Sequence, residues 1–239
     1  MTAVSEAKIV EPPAQPEAPA PKPRILVCTG SKKKCGGEAV FKGLTAQAEK
    51  LDIPVSIEQA KCGCTGECRR GPFLSFPDLH IFYGGVRENH IPHILSETVQ
   101  KGKILFPLLY NNALQSLRTD MIWEKANSCL MTMDSNICMV QLAKYLIKFH
   151  SEESCGKCFP CRLGIQKLTE LIEGITLGRG KSGDLEEAQS LIDLMKQAPY
   201  CSFAGKVSHI ILAVLSHFKS EFEAHIKEKK CPAGICTLS

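Results

Sequence analysis

The sequence has no long apolar run and no strong excess of one charge. No segment of the 239 residues is apolar over the roughly 20 residues that a membrane-spanning helix needs, and none has the apolar core of a secretory signal. The net charge of +4, with 23% charged residues, does not indicate nucleic acid as a partner. We therefore expect a cytoplasmic protein without a membrane span and without a nucleic-acid partner.

A nucleotide-binding loop is also missing. The run Gly178–Gly183 satisfies the spacing G-x-G-x-x-G, but it follows a helical pattern instead of a strand and lacks a βαβ context. It is not a phosphate-binding P-loop either, because Ile175 occupies the position of that motif's first glycine. We predict a loop between two helices here and no nucleotide site.

Cysteine, in contrast, is abundant, with 13 residues in the chain. In a reducing compartment, clustered cysteines are more often metal ligands or redox groups than disulfides, and an odd number argues against complete pairing. The sequence therefore predicts metal binding.

The most informative cysteines follow the pattern C-x2-C-x2-C. Cys155, Cys158 and Cys161 place three thiolates in one short loop, which suits three iron corners of a four-iron cluster. A fourth ligand has to come from elsewhere, and Cys201 follows a helical hairpin that can return it to the loop. These four residues are the predicted [4Fe-4S] ligands.

A second group of cysteines lies in the first half of the chain. A two-iron cluster takes two thiolates per iron, and two loops each supply a pair. The predicted [2Fe-2S] ligands are Cys28, Cys35, Cys64 and Cys68. A four-thiolate zinc site is the alternative for this group. Spacing selects neither Cys62 nor Cys129, although Cys62 could substitute for Cys64.

Hydrophobic patterns predict an α/β domain followed by an all-α domain. Ile25–Val27 is typical of a buried strand, a helical pattern runs from Phe41 to Leu51, and alternation predicts a second strand at Ile53–Ile57. A hairpin of residues 73–76 and 80–83 and a last helix follow, which favours a thioredoxin-like arrangement. The predicted divisions are a disordered tail at 1–23, a thioredoxin-like domain at 24–104, a connector at 105–137, a helical domain at 138–230 and a cysteine-containing tail at 231–239.

The first half resembles a known family. The motif from Cys64 to Pro72, followed by Pro77-Asp78 and by Tyr83–Val86, is similar to the thioredoxin-like [2Fe-2S] ferredoxins, which include the small-subunit domain of NADH dehydrogenases. In that family the spacing to Cys68 selects Cys64 over Cys62. The resemblance implies a two-iron electron-transfer domain.

The second half resembles a different subunit of the same assemblies. Glu153–Gly164 is similar to the carboxy-terminal [4Fe-4S] domain of the flavin-carrying NADH dehydrogenase subunit, and the likeness continues through Cys201–Gly205 and His217–Glu223. It implies a helical bundle in which Cys155, Cys158, Cys161 and Cys201 hold the cluster. That family's flavin and NADH sites lie in a large amino-terminal domain for which this chain has no room.

The end of the chain offers a further metal site. Cys231 and Cys236 form a C-x4-C pair containing Pro and Gly, which suits half of a zinc site, and Cys138 is a third thiol. His225 is the preferred fourth ligand because a helix rising about 1.5 Å per residue keeps it near Cys231, whereas His217 lies two turns further away. The alternative is an ordinary helix face with free thiols.

Together these patterns predict an electron-transfer subunit of a multisubunit oxidoreductase of the NADH dehydrogenase, hydrogenase or formate dehydrogenase type. It would relay single electrons between partner redox subunits, including a flavin or iron–sulfur protein. A zinc-stabilised scaffold that docks redox partners without carrying electrons is the alternative. Thiol–disulfide exchange is disfavoured because C-x2-C pairs are absent from the first half.

Overall fold

Mixed strands and helices in the first half give way to helices in the second. The structure is a computed structural model, and it describes residues 22–30, 35–65, 70–112, 121–124, 129–197 and 200–238. Its strands are β1 (Arg24–Val27), β2 (Ser56–Gln59), β3 (Cys62–Gly63), β4 (Leu74–Phe76), β5 (Ile81–Tyr83), β6 (Leu109–Asn112), β7 (Met121–Glu124) and β8 (Cys129–Thr132). Its helices are α1 (Gly37–Lys50), α2 (Ile91–His93), α3 (Met139–Glu153), α4 (Gln166–Thr176), α5 (Asp184–Gln197), α6 (Ser202–His217) and α7 (Lys219–Glu223).

Within the described ranges, three segments of π-helix extend or precede these helices. Ile94–Val99 continues α2, Pro160–Ile165 leads into α4, and Ala224–Glu228 continues α7. Each π-helical segment is therefore continuous with its neighbouring α-helix.

The first sheet has five strands in the order β2-β1-β4-β5-β6. β1 and β2 are parallel and are joined through α1, whereas β4 and β5 form the predicted antiparallel hairpin around the 3-10 turn Pro77–Leu79. The second predicted strand is shifted along the chain, because Ser56–Gln59 rather than Ile53–Ile57 pairs with β1.

Alternation along β1 gives the sheet two buried faces. Ile25 and Val27 pack with Leu44 of α1 and with Ile94, while Leu26 packs on the opposite side with Met131 of β8. Successive strand residues point to opposite faces, so the first sheet is covered by helices on one side and by a second sheet on the other.

Two strands of the second sheet, β7 and β8, lie in the segment 105–137, which the sequence patterns predict to be a connector, whereas its third strand, β3, comes from the first domain. It has the order β3-β8-β7 and is antiparallel throughout. Ile122 and Met131 face the first sheet, whereas Met121 and Leu130 belong to the core of the helical region. β7 and β8 of the connector, together with β3, thus form a layer between the first sheet and the helices, while β6 of the connector belongs to the first sheet.

The helical region surrounds a core built from residues at helical spacing. On α3, Val140, Ala143, Leu146 and Ile147 are all fully buried, which is the stripe expected of an amphipathic helix. α3 packs against α4 and α6, and α5 packs against α6. The coarse class, mixed helix and sheet followed by helices, is therefore as predicted.

Hydropathy of the helices bears on membrane insertion. Among the described residues, no helix combines the length with the apolar character that crossing a bilayer requires.

Candidate metal centres

One cysteine and histidine group has the compactness of a metal site. The ligand atoms of Cys138, His225, Cys231 and Cys236 all lie within 4.8 Å of one another. His225 Nε2 lies 3.4 Å from the Sγ atoms of both Cys138 and Cys236, and these two sulfurs are 3.6 Å apart. We refer to these four residues as the Cys3His group. The structure brings together the four residues that sequence spacing predicts.

Three separate parts of the chain supply the Cys3His group. Cys138 is the residue before α3, and His225 lies in the π-helical end of α7. Lys229 then adopts a left-handed conformation with φ of 50°, which ends the helix and turns the tail back toward it. A turn closed by the Gly234 N–H to Cys231 O bond, 3.0 Å long, sets the two tail cysteines side by side.

The orientation of His225 suits a metal ligand. Its Nδ1 lies 2.7 Å from the backbone carbonyl oxygen of Glu221. Since a carbonyl oxygen only accepts hydrogen bonds, Nδ1 carries the proton and Nε2 presents its lone pair to the three sulfurs. Such a backbone partner for the second ring nitrogen is typical of metal-binding histidines.

The electrostatics of the Cys3His group favour one thiolate. Burial alone would raise the pKa of Cys231, but the backbone N–H groups of Cys236 and Ile235 bond to its sulfur and lower the pKa to about 6. Burial raises the pKa of Cys138 instead. Since the thiolate is the metal-binding form, Cys231 provides an ionised ligand at neutral pH. Three sulfurs and one imidazole form the donor set of closed, tetrahedral zinc sites.

The C-x2-C-x2-C motif lies in the loop between α3 and α4. Cys155 is exposed, Cys158 is partly buried, and Cys161 is buried in the π-helical turn that leads into α4. Cys201 is the residue before α6. Backbone N–H groups of Cys161 and Tyr200 bond to the sulfur of Cys158 and lower its pKa.

The same contacts bring the distant cysteine to the motif. Cys161 has a pKa raised by burial, and both Cys158 and Cys201 act electrostatically on its sulfur. With the Tyr200 contact, these interactions place the start of α6 next to the last two cysteines of the motif. Thiols close together, backed by backbone N–H groups, form an environment that suits an iron–sulfur cluster.

Ser154 is a functional candidate that sequence patterns do not select. Its hydroxyl accepts a hydrogen bond from the Gly156 N–H at 3.2 Å and donates one to the sulfur of Cys161. The only signal in the sequence is its position directly before Cys155, where a small hydroxyl side chain can bridge the loop.

Cysteines of the first half converge near the end of β1. Hydrogen bonds with the thiols of Cys62 and Cys64 raise the pKa of Cys28. A Cβ atom added to Gly30, whose φ is +60°, would lie 3.4 Å from Cys64 Sγ and 3.5 Å from Cys35 Sγ. Three of the four predicted two-iron ligands therefore lie close to this glycine. The fourth, Cys68, lies outside the described residues.

Two further cysteines join this group. The hydrogen bond from Cys28 and the backbone N–H of Gly30 lower the pKa of Cys62. Cys129, at the start of β8, has its sulfur 3.8 Å from that of Cys64. Pairing of β3 with β8 explains why Cys129 lies near Cys64, because it places Cys62–Gly63 beside Leu130–Met131. We refer to Cys28, Cys35, Cys62, Cys64 and Cys129 as the N-terminal thiol group.

Two other features discussed in the sequence, His217 and the glycine-containing run 178–183, have structural roles. His217, the less favoured histidine, packs its ring against Gly63, where any added Cβ atom would overlap it. The run Gly178–Gly183 connects α4 with α5, as predicted for a loop between helices. In that loop the backbone N–H of Lys181 donates to Asp184 at 2.9 Å, next to the start of α5.

Comparison with known proteins assigns part of the chain. Residues 141–225 match the family described as the NADH-ubiquinone oxidoreductase-F iron-sulfur binding region. This match includes the C-x2-C-x2-C motif, Cys201 and His225, and it ends before the cysteine-containing tail.

Curated relatives are similar over less than half of this chain. A subunit of the NADP-reducing hydrogenase of Solidesulfovibrio fructosivorans, HndC, is 40% identical over 108 residues, which are 45% of this chain and 22% of that protein. An F-type subunit of the NADH-quinone oxidoreductase of Rhizobium meliloti (strain 1021) is 38% identical over 103 residues, 43% of this chain and 24% of that protein. The chain thus spans about a quarter of the length of these curated relatives.

Solved structures show weaker likeness. A NAD+-reducing [NiFe]-hydrogenase in the H2-reduced state aligns with 28% identity and a TM-score of 0.39, over 44% of this chain and 18% of that one. A thioredoxin-like [2Fe-2S] ferredoxin from Aquifex aeolicus aligns with 19% identity and a TM-score of 0.32, over 37% of this chain and 90% of the ferredoxin. The likeness to known proteins therefore depends on the sequence matches: residues 141–225 match the family described as the NADH-ubiquinone oxidoreductase-F iron-sulfur binding region, and the relatives named above are similar over less than half of this chain.

Proposed function

We propose that this chain is an electron-transfer subunit of a multisubunit oxidoreductase. It relays single electrons through a [4Fe-4S] and a [2Fe-2S] cluster and has no flavin or NADH site of its own. The observation that carries this proposal is the family match of residues 141–225, an iron–sulfur binding region that contains the C-x2-C-x2-C motif. The relatives, a hydrogenase subunit and a quinone oxidoreductase subunit, support other redox subunits as partners, including a flavin or iron–sulfur protein.

The four-iron ligands in this proposal are Cys155, Cys158, Cys161 and Cys201. The contacts of Cys158 and Cys161 with each other and with the Tyr200–Cys201 segment support this set. An iron–sulfur cluster supplies a reversible one-electron carrier. The chain's own part is to hold the sulfurs and to direct hydrogen bonds at them, which stabilises the more negative, reduced state.

The two-iron ligands are Cys28, Cys35, Cys64 and Cys68, in a thioredoxin-like domain spanning 24–104. Support comes from the convergence of the first three near Gly30. The remaining divisions of the proposal are the tail 1–23, the connector 105–137, the helical [4Fe-4S] domain 138–230 and the tail 231–239. A layer formed by β7 and β8 inside the connector supports treating it as a junction between the two cluster domains.

Metal analysis of anaerobically purified protein tests this proposal. Two clusters require about six irons per chain with matching acid-labile sulfide, together with two distinct paramagnetic resonance signals after reduction. Clearly fewer irons contradict the two-cluster function. The variant Cys161→Ser should lose only the four-iron signal, and Cys64→Ser only the two-iron signal.

A matched control decides between neighbouring thiols. Cys62→Ser removes the sulfur that hydrogen-bonds to Cys28 and should leave both signals in place. If Cys62→Ser abolishes the two-iron signal while Cys64→Ser retains it, the assignment of the two-iron ligands is wrong.

The second candidate function is a zinc-stabilised scaffold that docks redox subunits without carrying electrons. The Cys3His group favours it, because four buried or partly buried ligand atoms within 4.8 Å match the donor set of structural zinc. The predicted outcome for this candidate is colourless protein with about one zinc per chain and little sulfide. Zinc together with six irons would show that the group accompanies the relay, and we propose this combination.

A further inference from the structure

A buried ion pair lies between the two halves of the molecule. Lys61 Nζ lies 2.5 Å from Glu221 Oε1, and the two side chains are only 17% and 12% exposed. The same Nζ donates a hydrogen bond to the backbone carbonyl of Ile137 at 2.6 Å. Burying two charges is costly unless both are paired and hydrogen-bonded, so these contacts hold the lysine in one position.

Glu221 is bonded to one ligand of the Cys3His group, His225, and to Met139, the residue after a second ligand. Its Oε2 accepts a hydrogen bond from the Met139 N–H at 3.2 Å, and its backbone carbonyl accepts the one from His225 Nδ1 at 2.7 Å. Ile137 and Met139, the residues on either side of Cys138, are therefore both bonded to the ion pair. The position of the Lys61–Glu221 ion pair and the positions of the ligands Cys138 and His225 therefore depend on each other.

Lys61 leads directly into the N-terminal thiol group. It precedes Cys62, and its carbonyl oxygen accepts hydrogen bonds from the N–H and the hydroxyl of Thr132, at 3.1 and 3.0 Å. Two residues further along, Gly63 packs against the ring of His217. The segment that carries Cys62 and Cys64 is thus fixed to the helical region on both sides of Cys62.

We infer that Lys61 and Glu221 are positioning residues that couple metal binding at the Cys3His group to the geometry of the N-terminal thiol group. Metal in the Cys3His group fixes Cys138 and His225, these fix Glu221, and Glu221 fixes Lys61 and with it the strand that carries Cys62. The inference rests on the proposed function for its two-iron readout. It adds that the zinc site controls the electron carrier of the other domain.

Variants of the full chain test the coupling. Lys61→Met removes the charge at similar length, Lys61→Arg keeps it, and Lys144→Met is the matched control, because Lys144 pairs with Glu173 at 2.8 Å on a more exposed part of the helical region. The probe is Co2+, titrated against the zinc-free chain by its thiolate absorption. We expect Lys61→Met to bind Co2+ about tenfold more weakly or worse and to show an altered two-iron resonance spectrum. Lys61→Arg and Lys144→Met should match the wild type in both.

The coupling is overturned if either the Co2+ affinity or the two-iron spectrum of Lys61→Met equals that of the wild type. If Lys61→Met does not fold, the wild type provides the same test. Removing zinc with a chelator at constant iron content should alter the two-iron spectrum, and adding Zn2+ should restore it. An unchanged spectrum overturns the inference.

Failure of the proposed function looks different. If the wild-type chain gives no two-iron signal, the proposed electron relay is wrong. The coupling is then tested by the rate at which the Cys62 thiol is alkylated. Zn2+ should then slow alkylation of Cys62 in the wild type and in Lys144→Met, but not in Lys61→Met. Equal alkylation rates with and without Zn2+ in the wild type would overturn the coupling by itself.

Discussion

Replacing Ser154 with alanine should lower the reduction potential of the proposed four-iron centre. The hydroxyl donates a hydrogen bond to the sulfur of Cys161, and its other contact is the Gly156 N–H at 3.2 Å. Hydrogen bonds to ligand sulfurs stabilise the reduced cluster, which carries more negative charge. Loss of this donor therefore disfavours reduction.

The size of the shift follows from the single bond that is lost. A hydrogen bond to a charged group contributes about 1.5–3 kcal/mol. The added electron is shared over a cluster with four thiolates, so we assign about a quarter of that strength to the difference between redox states. The resulting ~0.4–0.8 kcal/mol corresponds to a potential roughly 15–35 mV lower for a one-electron couple.

Redox titration followed by paramagnetic resonance measures this shift. Ser154→Thr keeps the hydroxyl and should remain near the wild-type potential. Ser190→Ala is the matched control, because that hydroxyl donates to the Glu186 carbonyl within α5. An unchanged or raised potential in Ser154→Ala, with the cluster intact, would refute the role given to this hydroxyl.

Three further predictions concern metal retention, pH and packing. Cys236→Ala should lose the proposed zinc ion during gel filtration while retaining the proposed clusters, because only three zinc ligands remain. Metal analysis of the eluted protein checks this. Burial raises the pKa of Asp134, but hydrogen bonds from Arg24 outweigh it and leave the pKa below its ordinary value. The stabilisation from this partly exposed pair is about 1 kcal/mol or less. It is present above the unfolded-state pKa of about 4 and is lost as the pH falls through the lower folded-state pKa. In urea denaturation, the free energies of unfolding of Asp134→Asn and wild type should therefore differ at pH 7 and become equal once the pH is below the folded-state pKa. Leu130 is 2% exposed, so Leu130→Ala should lower the free energy of unfolding by about 3 kcal/mol. Leu51 is 53% exposed, so the control Leu51→Ala should lower it by ~0.5 kcal/mol or less. Equal losses in denaturant titrations would contradict the packing of β8 on the helices.

Local patterns explain what could be predicted from the sequence. The strand at Ile25–Val27, the helix that follows and the hairpin are encoded by alternation, by helical periodicity and by Pro77-Asp78 at the turn, each of which acts over a few residues. The Cys3His group could be predicted for a similar reason, since three of its members, His225, Cys231 and Cys236, lie within 12 consecutive residues of one helix and tail.

Contacts between distant segments could not be predicted in this way. β3 has two residues and β8 is buried at all four, so neither shows the alternation that identifies a strand. Their pairing nevertheless decides that Cys129 reaches Cys64 and that Cys62 joins the same group. Lys61, directly before β3, likewise meets Glu221 of α7 although the two residues are far apart in the sequence. Sequence spacing by itself determined which cysteines and histidines are candidate metal ligands, whereas only the tertiary structure decided how these groups connect, because pairing and burial between remote segments carry no local periodicity.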